Sequence, residues 1–360
     1  MPEGRLTLAA VAIALAVVFA AAARRDRRIA ARRAWLAAFG ACVAAATWLG
    51  AAALVLRPES GVEYFEGDHP VRLHVADADL GYAPRPGARV RALRRSERGV
   101  VFDARYAIGD DGWRITPGDP AGPPIVFFGC SFTFGQGVGD DDTLPARVSA
   151  ALGGTAHVES RAATGYGPHQ MLRLLETGRA EIAPGTRVLY QALGDHVRRV
   201  AGKTPWDDAG PRYVLDGDGV RFAGPLHAPL LRPLRQIAAR LVKYGLLPVR
   251  AFGYDVDEDE RELFVRIVAA SAEHVTRAGG RFTVAFWDDG PAEAALADRL
   301  EARGIEVWRI SALLPGVDRG PLMIPGDTHP GPELYRLLGA AIAARLASPA
   351  APSTTTASRG

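Results

Sequence analysis

Ile125-Val126-Phe127-Phe128-Gly129-Cys130-Ser131-Phe132-Thr133-Phe134-Gly135-Gln136-Gly137-Val138 decides how this chain is read. Four consecutive apolar residues predict a strand buried on both faces, since a half-buried strand would alternate. The run stops at Gly129, and the glycines that follow let the backbone turn sharply and let a substrate approach it. In an open parallel sheet, functional groups gather at the carboxyl edge of the strands. A serine in that turn can present its hydroxyl above the sheet and its N–H to a developing oxyanion. The plain alternative is a structural turn serine.

Other glycine-rich motifs do not fit. A phosphate loop needs four residues between its glycines and then Lys, whereas Gly135 follows Gly129 by six and no Lys comes after. The dinucleotide fingerprint needs glycine at 140, where Asp140 stands, and the α/β-hydrolase elbow needs glycine at Thr133.

Outward from the turn, a helical pattern runs from Thr143 to Leu152. Short apolar runs at 156–159, 187–193, 282–287 and 305–309 alternate with helical stretches near 168–182, 260–278, 291–303 and 331–346. Strands alternating with helices predict an α/β fold with a doubly wound, parallel, five-stranded sheet over 121–347. An insertion at about 203–258 carries a predicted hairpin, Tyr213–Phe222, with Asp-Gly-Asp-Gly at its turn. Residues 58–120 read as an irregular, β-rich segment, and 348–360 as a solvated tail.

Apolar residues make up 48% of the 360 and charged residues 23%, which excludes a disordered chain. Cys42 and Cys130 are the only cysteines, so neither a disulfide framework nor a cysteine-built zinc site is available. The net charge of +3 comes from the N-terminus: residues 58–360 hold 35 basic and 38 acidic side chains, which leaves nucleic acid without support as a partner.

Residues 6–23 and 34–56 contain no charged side chain and are long enough to cross a bilayer as helices. Six arginines between Arg24 and Arg33 mark the connecting loop as cytoplasmic. The reading is a transmembrane hairpin over 1–57 in the cytoplasmic membrane, with the domain beyond Arg57 extracytoplasmic and periplasmic. A cleaved signal peptide over 1–23 is the alternative, argued against by the arginines that follow it.

The turn at Ser131 resembles the first sequence block of the SGNH, or GDSL, hydrolases, in the variant Gly-x-Ser-Phe-Thr-Phe-Gly-x-Gly-Val, and the resemblance covers about 124–346. It implies a flavodoxin-like sheet, a serine nucleophile, and neither metal nor cofactor. It also implies a histidine from a late loop, and Asp327-Thr328-His329-Pro330 lies at the matching place before the last helix. His329 would take the serine proton and Asp327 would hold the imidazole.

Two further blocks match less well. Ser160-Arg161-Ala162-Ala163-Thr164-Gly165-Tyr166-Gly167 resembles the second, which puts Ala162 at the position of a backbone oxyanion donor, with Gly165 opening the following helix. Ala192-Leu193-Gly194-Asp195-His196 stands at the third, where the family's Asn donor is replaced by Gly194. Loss of such a donor costs about a hundredfold in turnover. His196 or Arg198 are candidate substitutes, and Asp195 reads equally as a helix-start residue or, with His196 and Gly165, as substrate-binding. Cys130 replaces the family Asp and reads as a small packing residue. His69, His74, His157, His227 and His274 read as surface residues.

The resulting expectation is a membrane-anchored serine esterase that works through an acyl-enzyme. Its expected partners are the lipid bilayer and an acylated small-molecule or polysaccharide substrate, with O-acyl or O-acetyl groups as the reacting part. The alternatives are a polysaccharide O-acyltransferase and a non-catalytic envelope-binding protein that keeps the fold.

Overall fold

A computed structural model describes residues 2–26, 28–55, 61–204, 206–232 and 255–348, together with 235, 237, 238 and 241. The expected tail, 348–360, lies outside the described residues apart from Ser348. The chain divides into two units, residues 1–59 with 237–251, and residues 60–236 with 252–360.

The first unit contains two helices, Pro2–Arg25 and Ile29–Val55. The expected arginine loop over 24–33 narrows to the residues around Asp26, because arginine and alanine are strong helix formers and carry both helices inward. Asp26 closes the turn by accepting the Arg28 N–H at 2.9 Å, and Phe19 stacks on Trp35 at 5.8 Å. Among the described residues, one stretch is long and apolar enough to cross a membrane, Ile29–Trp48. It starts earlier than the expected 34–56 and takes in Arg32 and Arg33. Side chains of the first helix are described only from Val11, so the expected span 6–23 lies partly outside the description. Val17 is 64% exposed and Leu36 51%.

In the second unit the strands are β1 (Glu63–Glu66), β2 (His69–Val71), β3 (His74–Asp77), β4 (Gly81–Pro84), β5 (Arg89–Ser96), β6 (Gly99–Ala107), β7 (Pro124–Gly129), β8 (His157–Ala162), β9 (Arg187–Ala192), β10 (Pro211–Asp216), β11 (Gly219–Pro225), β12 (Arg281–Phe286) and β13 (Glu306–Arg309). Five of them form a wholly parallel sheet in the order β13-β12-β9-β7-β8. Counted from β7, this is the 2-1-3-4-5 order of flavodoxin-like sheets, whose chain direction switches between the first and third strands. Here that switch lies between β7 and β9, directly beneath Ser131.

The sheet is buried on both faces, as the unbroken apolar runs require. In β7, Ile125 and Phe127 face one core with Leu144, Val148, Leu334 and Leu338, while Val126 and Phe128 face the other with Leu172, Val197, Phe264 and Leu296. The second helix of the sheet, Pro168–Glu176, stops six residues short of the expected 182, where Thr177 is followed by Gly178 at φ +68°. The expected hairpin is β10–β11, with Tyr213 opposite Phe222.

Residues 61–115 are built into this unit. Strands β2-β1-β5-β6 form an antiparallel sheet, and β3 pairs with β4. Leu73, Val90, Phe102, Tyr106 and Ile108 share one apolar core with Phe127, Leu144 and Tyr335. That packing delivers polar side chains to the Ser131 turn and to the 327–329 loop.

Candidate active site

Ser131 begins a single helical turn, Ser131–Phe134, which ends at Gly135 with φ +78° and its N–H on Ser131 O. Gly129 is required before it: a Cβ there would lie 2.0 Å from Thr133 Oγ1, which donates to Gln191 Oε1 at 2.6 Å on the neighbouring strand β9. Cys130 is fully buried and contributes no side-chain cap, in keeping with a packing residue.

Arg114 braces the turn from outside. Its guanidinium is nearly enclosed and donates to the carbonyls of Phe134 (2.6 Å), Gly135 (2.8 Å) and Val138 (2.7 Å), with Asp140 as its carboxylate partner at 2.8 Å. It lies over the Tyr106 ring at 4.2 Å, a face-on cation–π contact. Tyr335 holds the other side of the turn by donating to Phe132 O at 2.7 Å.

His329 arrives on a tight loop in which Ile324 N–H donates to His329 O at 2.9 Å and Met323 bridges to Pro330. Its Nε2 lies 2.8 Å from Ser131 Oγ, and its Nδ1 meets Asp327 Oδ1. A carboxylate only accepts, so Nδ1 carries the proton and Nε2 offers its lone pair to the serine hydroxyl. Asp327 Oδ1 also accepts the His329 backbone N–H at 3.0 Å, which fixes the loop around the imidazole. The Asp327 side chain has no exposure, and its Oδ2 pairs with Arg94 of β5. Burial pushes this carboxyl's pKa up. The His329 hydrogen bond and charge, with Arg94, outweigh burial and bring it down to about 2.

Ser131 and His329 open on a cleft of about 820 Å³ whose walls include His74, Tyr82, Thr164, Gly165, Trp206 and Arg199, with Asp327 buried behind them. Gly165, at φ +86°, admits no side chain because a Cβ would lie 2.6 Å from both Trp206 Nε1 and Tyr82 Oη. Tyr82 donates to Thr164 O at 2.7 Å, and Trp206 Nε1 to Gly165 O at 3.2 Å.

Several expectations need correction. His74 is not a surface residue: it lies partly buried on the cleft wall, 3.0 Å from Thr164 Oγ1, and burial lowers its pKa to about 4. His196 supplies no oxyanion donor, because its ring is fully buried, stacks on Tyr190 and shares a 2.5 Å hydrogen bond with the Tyr190 hydroxyl. Asp195 does stand at the start of the helix His196–Val200, without a side-chain capping bond; it pairs with Arg198 and Arg199 and faces the cleft. It is Arg199, not Arg198, that reaches the cleft wall.

Ala162 is fully buried at the end of β8, opposite Gly129, and Thr164 and Gly165 take the place on the cleft wall. Gly194 follows β9 but lies outside the cleft that holds Ser131. A Cβ on Gly194 would lie 2.6 Å from Glu293 Oε1, so the Glu293 carboxylate stands where a side chain at 194 would begin. Among the described residues no grouping of three or more His, Cys, Asp or Glu is placed to hold a metal ion.

Arg94, Arg114, Trp206 and Glu293 were not visible as site residues in the sequence. Arg94 sits in Arg89-Val-Arg-Ala-Leu-Arg-Arg-Ser96, an interior strand of its sheet whose alternation leaves one face solvated.

No protein-family model matches the chain, and no curated protein does. Solved structures similar to it include a lipolytic G-D-S-L family protein from Desulfitobacterium hafniense (13% identity, TM-score 0.35, 62% of this chain and 98% of that one). Another is a lipolytic G-D-S-L family member from Veillonella parvula (13%, 0.37, 62% and 97%). A third is described as an SGNH hydrolase from Slackia heliotrinireducens (14%, 0.35, 62% and 99%).

Proposed function

We propose that the chain is a serine esterase of the SGNH type, with Ser131 as nucleophile, His329 as general base and then acid, and Asp327 as the group that orients and stabilises the imidazole. The observation that carries this reading is the unbroken line Ser131 Oγ–His329–Asp327, with Nε2 2.8 Å from the hydroxyl, at the switch point of the sheet. Ser131 Oγ attacks the ester carbonyl as Nε2 takes its proton, and the imidazolium returns that proton to the departing alcohol. Water then opens the acyl-enzyme by the same steps in reverse. The developing oxyanion is met by backbone N–H groups, with Ser131 N–H at the head of its helical turn as the first. This chemistry draws on no metal and no cofactor.

The finer reading is an enzyme anchored by its N-terminal helices in the cytoplasmic membrane, with the catalytic unit on the extracytoplasmic side and acylated polysaccharide as substrate. It is supported by the apolar stretch Ile29–Trp48, the arginines around Asp26 and the exposed Trp206 on the cleft wall, a flat face on which a sugar can stack. The test uses the full chain in detergent micelles with p-nitrophenyl acetate, beside Ser131→Ala and His329→Ala. Release of p-nitrophenol that both substitutions abolish supports the esterase. Equal rates in all three proteins reject it in favour of a non-catalytic binding protein, the reading favoured by the absent Asn and Asp of the family blocks. Protease accessibility of the catalytic unit in intact spheroplasts checks the topology.

A further inference from the structure

A second cleft, of about 590 Å³, shares Phe132, Leu193, Asp195 and Thr328 with the cleft that holds Ser131. Its remaining wall is formed by Gly194, Trp287, Asp289, Glu293, Asp318 and Arg319, with the adjoining loop. Trp287 is 3% exposed, and among the described residues its indole N–H has no acceptor. Arg319 binds Asp289 at 2.5 Å and lies 5.5 Å from the Trp287 ring centre, yet its Nη1 is likewise buried without a partner. Among the described residues no donor pairs with the Glu293 carboxylate, and Asp318 meets only the Gly320 N–H at 3.1 Å.

A buried donor without an acceptor loses its hydration and gains nothing in return, so such groups persist where water or a ligand completes them. Among the described residues, Trp287 and Arg319, each with a buried unsatisfied donor, share one wall with the carboxylates of Glu293 and Asp318. An ammonium ligand would match the carboxylates but leave the indole and guanidinium N–H groups unmet. An anion would meet Glu293 and Asp318 in repulsion. Hydroxyl groups donate and accept, and so match both.

We infer that this second cleft seats the acyl acceptor, a polyhydroxylated alcohol such as a sugar unit, with Glu293 and the Trp287 N–H fixing its hydroxyls beside the acyl-enzyme. The inference rests on the serine reading above and adds the fate of the acyl group. The acceptor hydroxyl attacks the acyl carbon, its proton passes to His329 Nε2, the bond from carbon to Ser131 Oγ breaks, and the imidazolium returns the proton to Oγ. One ester is exchanged for another, and water competes as the alternative acceptor. Gly194 serves this arrangement because any side chain there would displace the Glu293 carboxylate.

The experiment gives the full chain in micelles p-nitrophenyl acetate as donor and maltose as acceptor, with choline chloride in a parallel arm. It measures p-nitrophenol release together with acetylated acceptor by mass spectrometry. The expected result is a ratio of transfer to hydrolysis that saturates with maltose and falls about tenfold in both Glu293→Gln and Trp287→Phe. A merely structural role would slow transfer and hydrolysis together and leave the ratio unchanged. A ratio that rises without saturation and is equal in the variants, or preferential acetylation of choline, overturns the acceptor site alone. Absence of any Ser131-dependent release overturns the serine reading and this one with it.

Discussion

The two sides of the Ser131 turn follow different rules. On one side, the hydroxyl, imidazole and carboxylate emerge from segments about 200 residues apart and meet at hydrogen-bond distance. On the other side, the ends of β8 and β9 carry Ala162 and Gly194, neither of which faces the nucleophile's cleft. Proton transfer needs specific side chains in line, so their identities persist in the sequence pattern. Oxyanion binding needs N–H groups, which every residue but proline has, so sequence there is free to change and carries less information.

The largest effects are expected on the first side. Ser131→Ala, His329→Ala and Asp327→Asn should each lower kcat/KM for p-nitrophenyl acetate by about 10,000-fold, and the double substitutions should add little because the three act as a unit. Additive losses would show that they do not share one proton path. The acid behaviour of Asp327 sharpens the point. Its carboxyl is held down at about 2, below its ordinary value of 3.8, so its contribution to stability is full above about pH 4 and fades as pH falls toward 2. Unfolding of Asp327→Asn should therefore lose part of its pH dependence in that window, measured by thermal denaturation.

Arg114 separates holding the nucleophile's turn from doing chemistry on it. Arg114→Met leaves three carbonyls and the Asp140 carboxylate short of their donor, at an expected cost of about 3–5 kcal/mol in unfolding free energy. A chemical-denaturation midpoint that does not move would remove Arg114 from this role.

How much of this was legible in the sequence differs along the same line. The run at 125–128 and its companions announced a parallel sheet, because burial on both faces leaves an unbroken apolar signature. Ser131 and Asp327–His329 were legible as a chemical pattern. Arg94 and Arg114 were not: their partners lie 233 and 26 residues away, and nothing local marks an arginine on a strand or turn as the partner of a distant carboxylate. His74 was misread for the same reason, since only β3 packing beside Thr164 and Tyr82 takes it from water.

His74 reports how far the wall contributed by the β-rich segment is shielded from water. Its imidazole stays neutral down to about pH 4 in the folded protein and would take a proton near 6.5 when unfolded. The unfolded state thus binds more protons between those values, and stability is full above pH 6.5 and falls by about 3 kcal/mol as pH drops to 4. His74→Asn should flatten that slope, read as the thermal midpoint at pH 7 and pH 4.5. A slope unchanged by the substitution would assign the loss to other groups.

The smallest predicted effect bears most directly on the contrast between the two sides. Gly194 has an ordinary backbone conformation, so an asparagine there would meet first the Glu293 carboxylate, 2.6 Å from the Cβ it would need, and must share space with it. Gly194→Asn alone should therefore gain nothing, since the new amide must compete with that carboxylate for its space. Gly194→Asn combined with Glu293→Ala clears the space and offers an amide donor at the end of β9. It should raise hydrolysis of p-nitrophenyl acetate by about tenfold, an order of magnitude less than a preorganised oxyanion donor supplies. The same double substitution should depress transfer to maltose, because Glu293 is gone. Opposite movement of the two rates would mean that residue 194 chooses between stabilising the oxyanion and seating an acceptor, and parallel movement would dissolve the distinction drawn between the two sides of the turn.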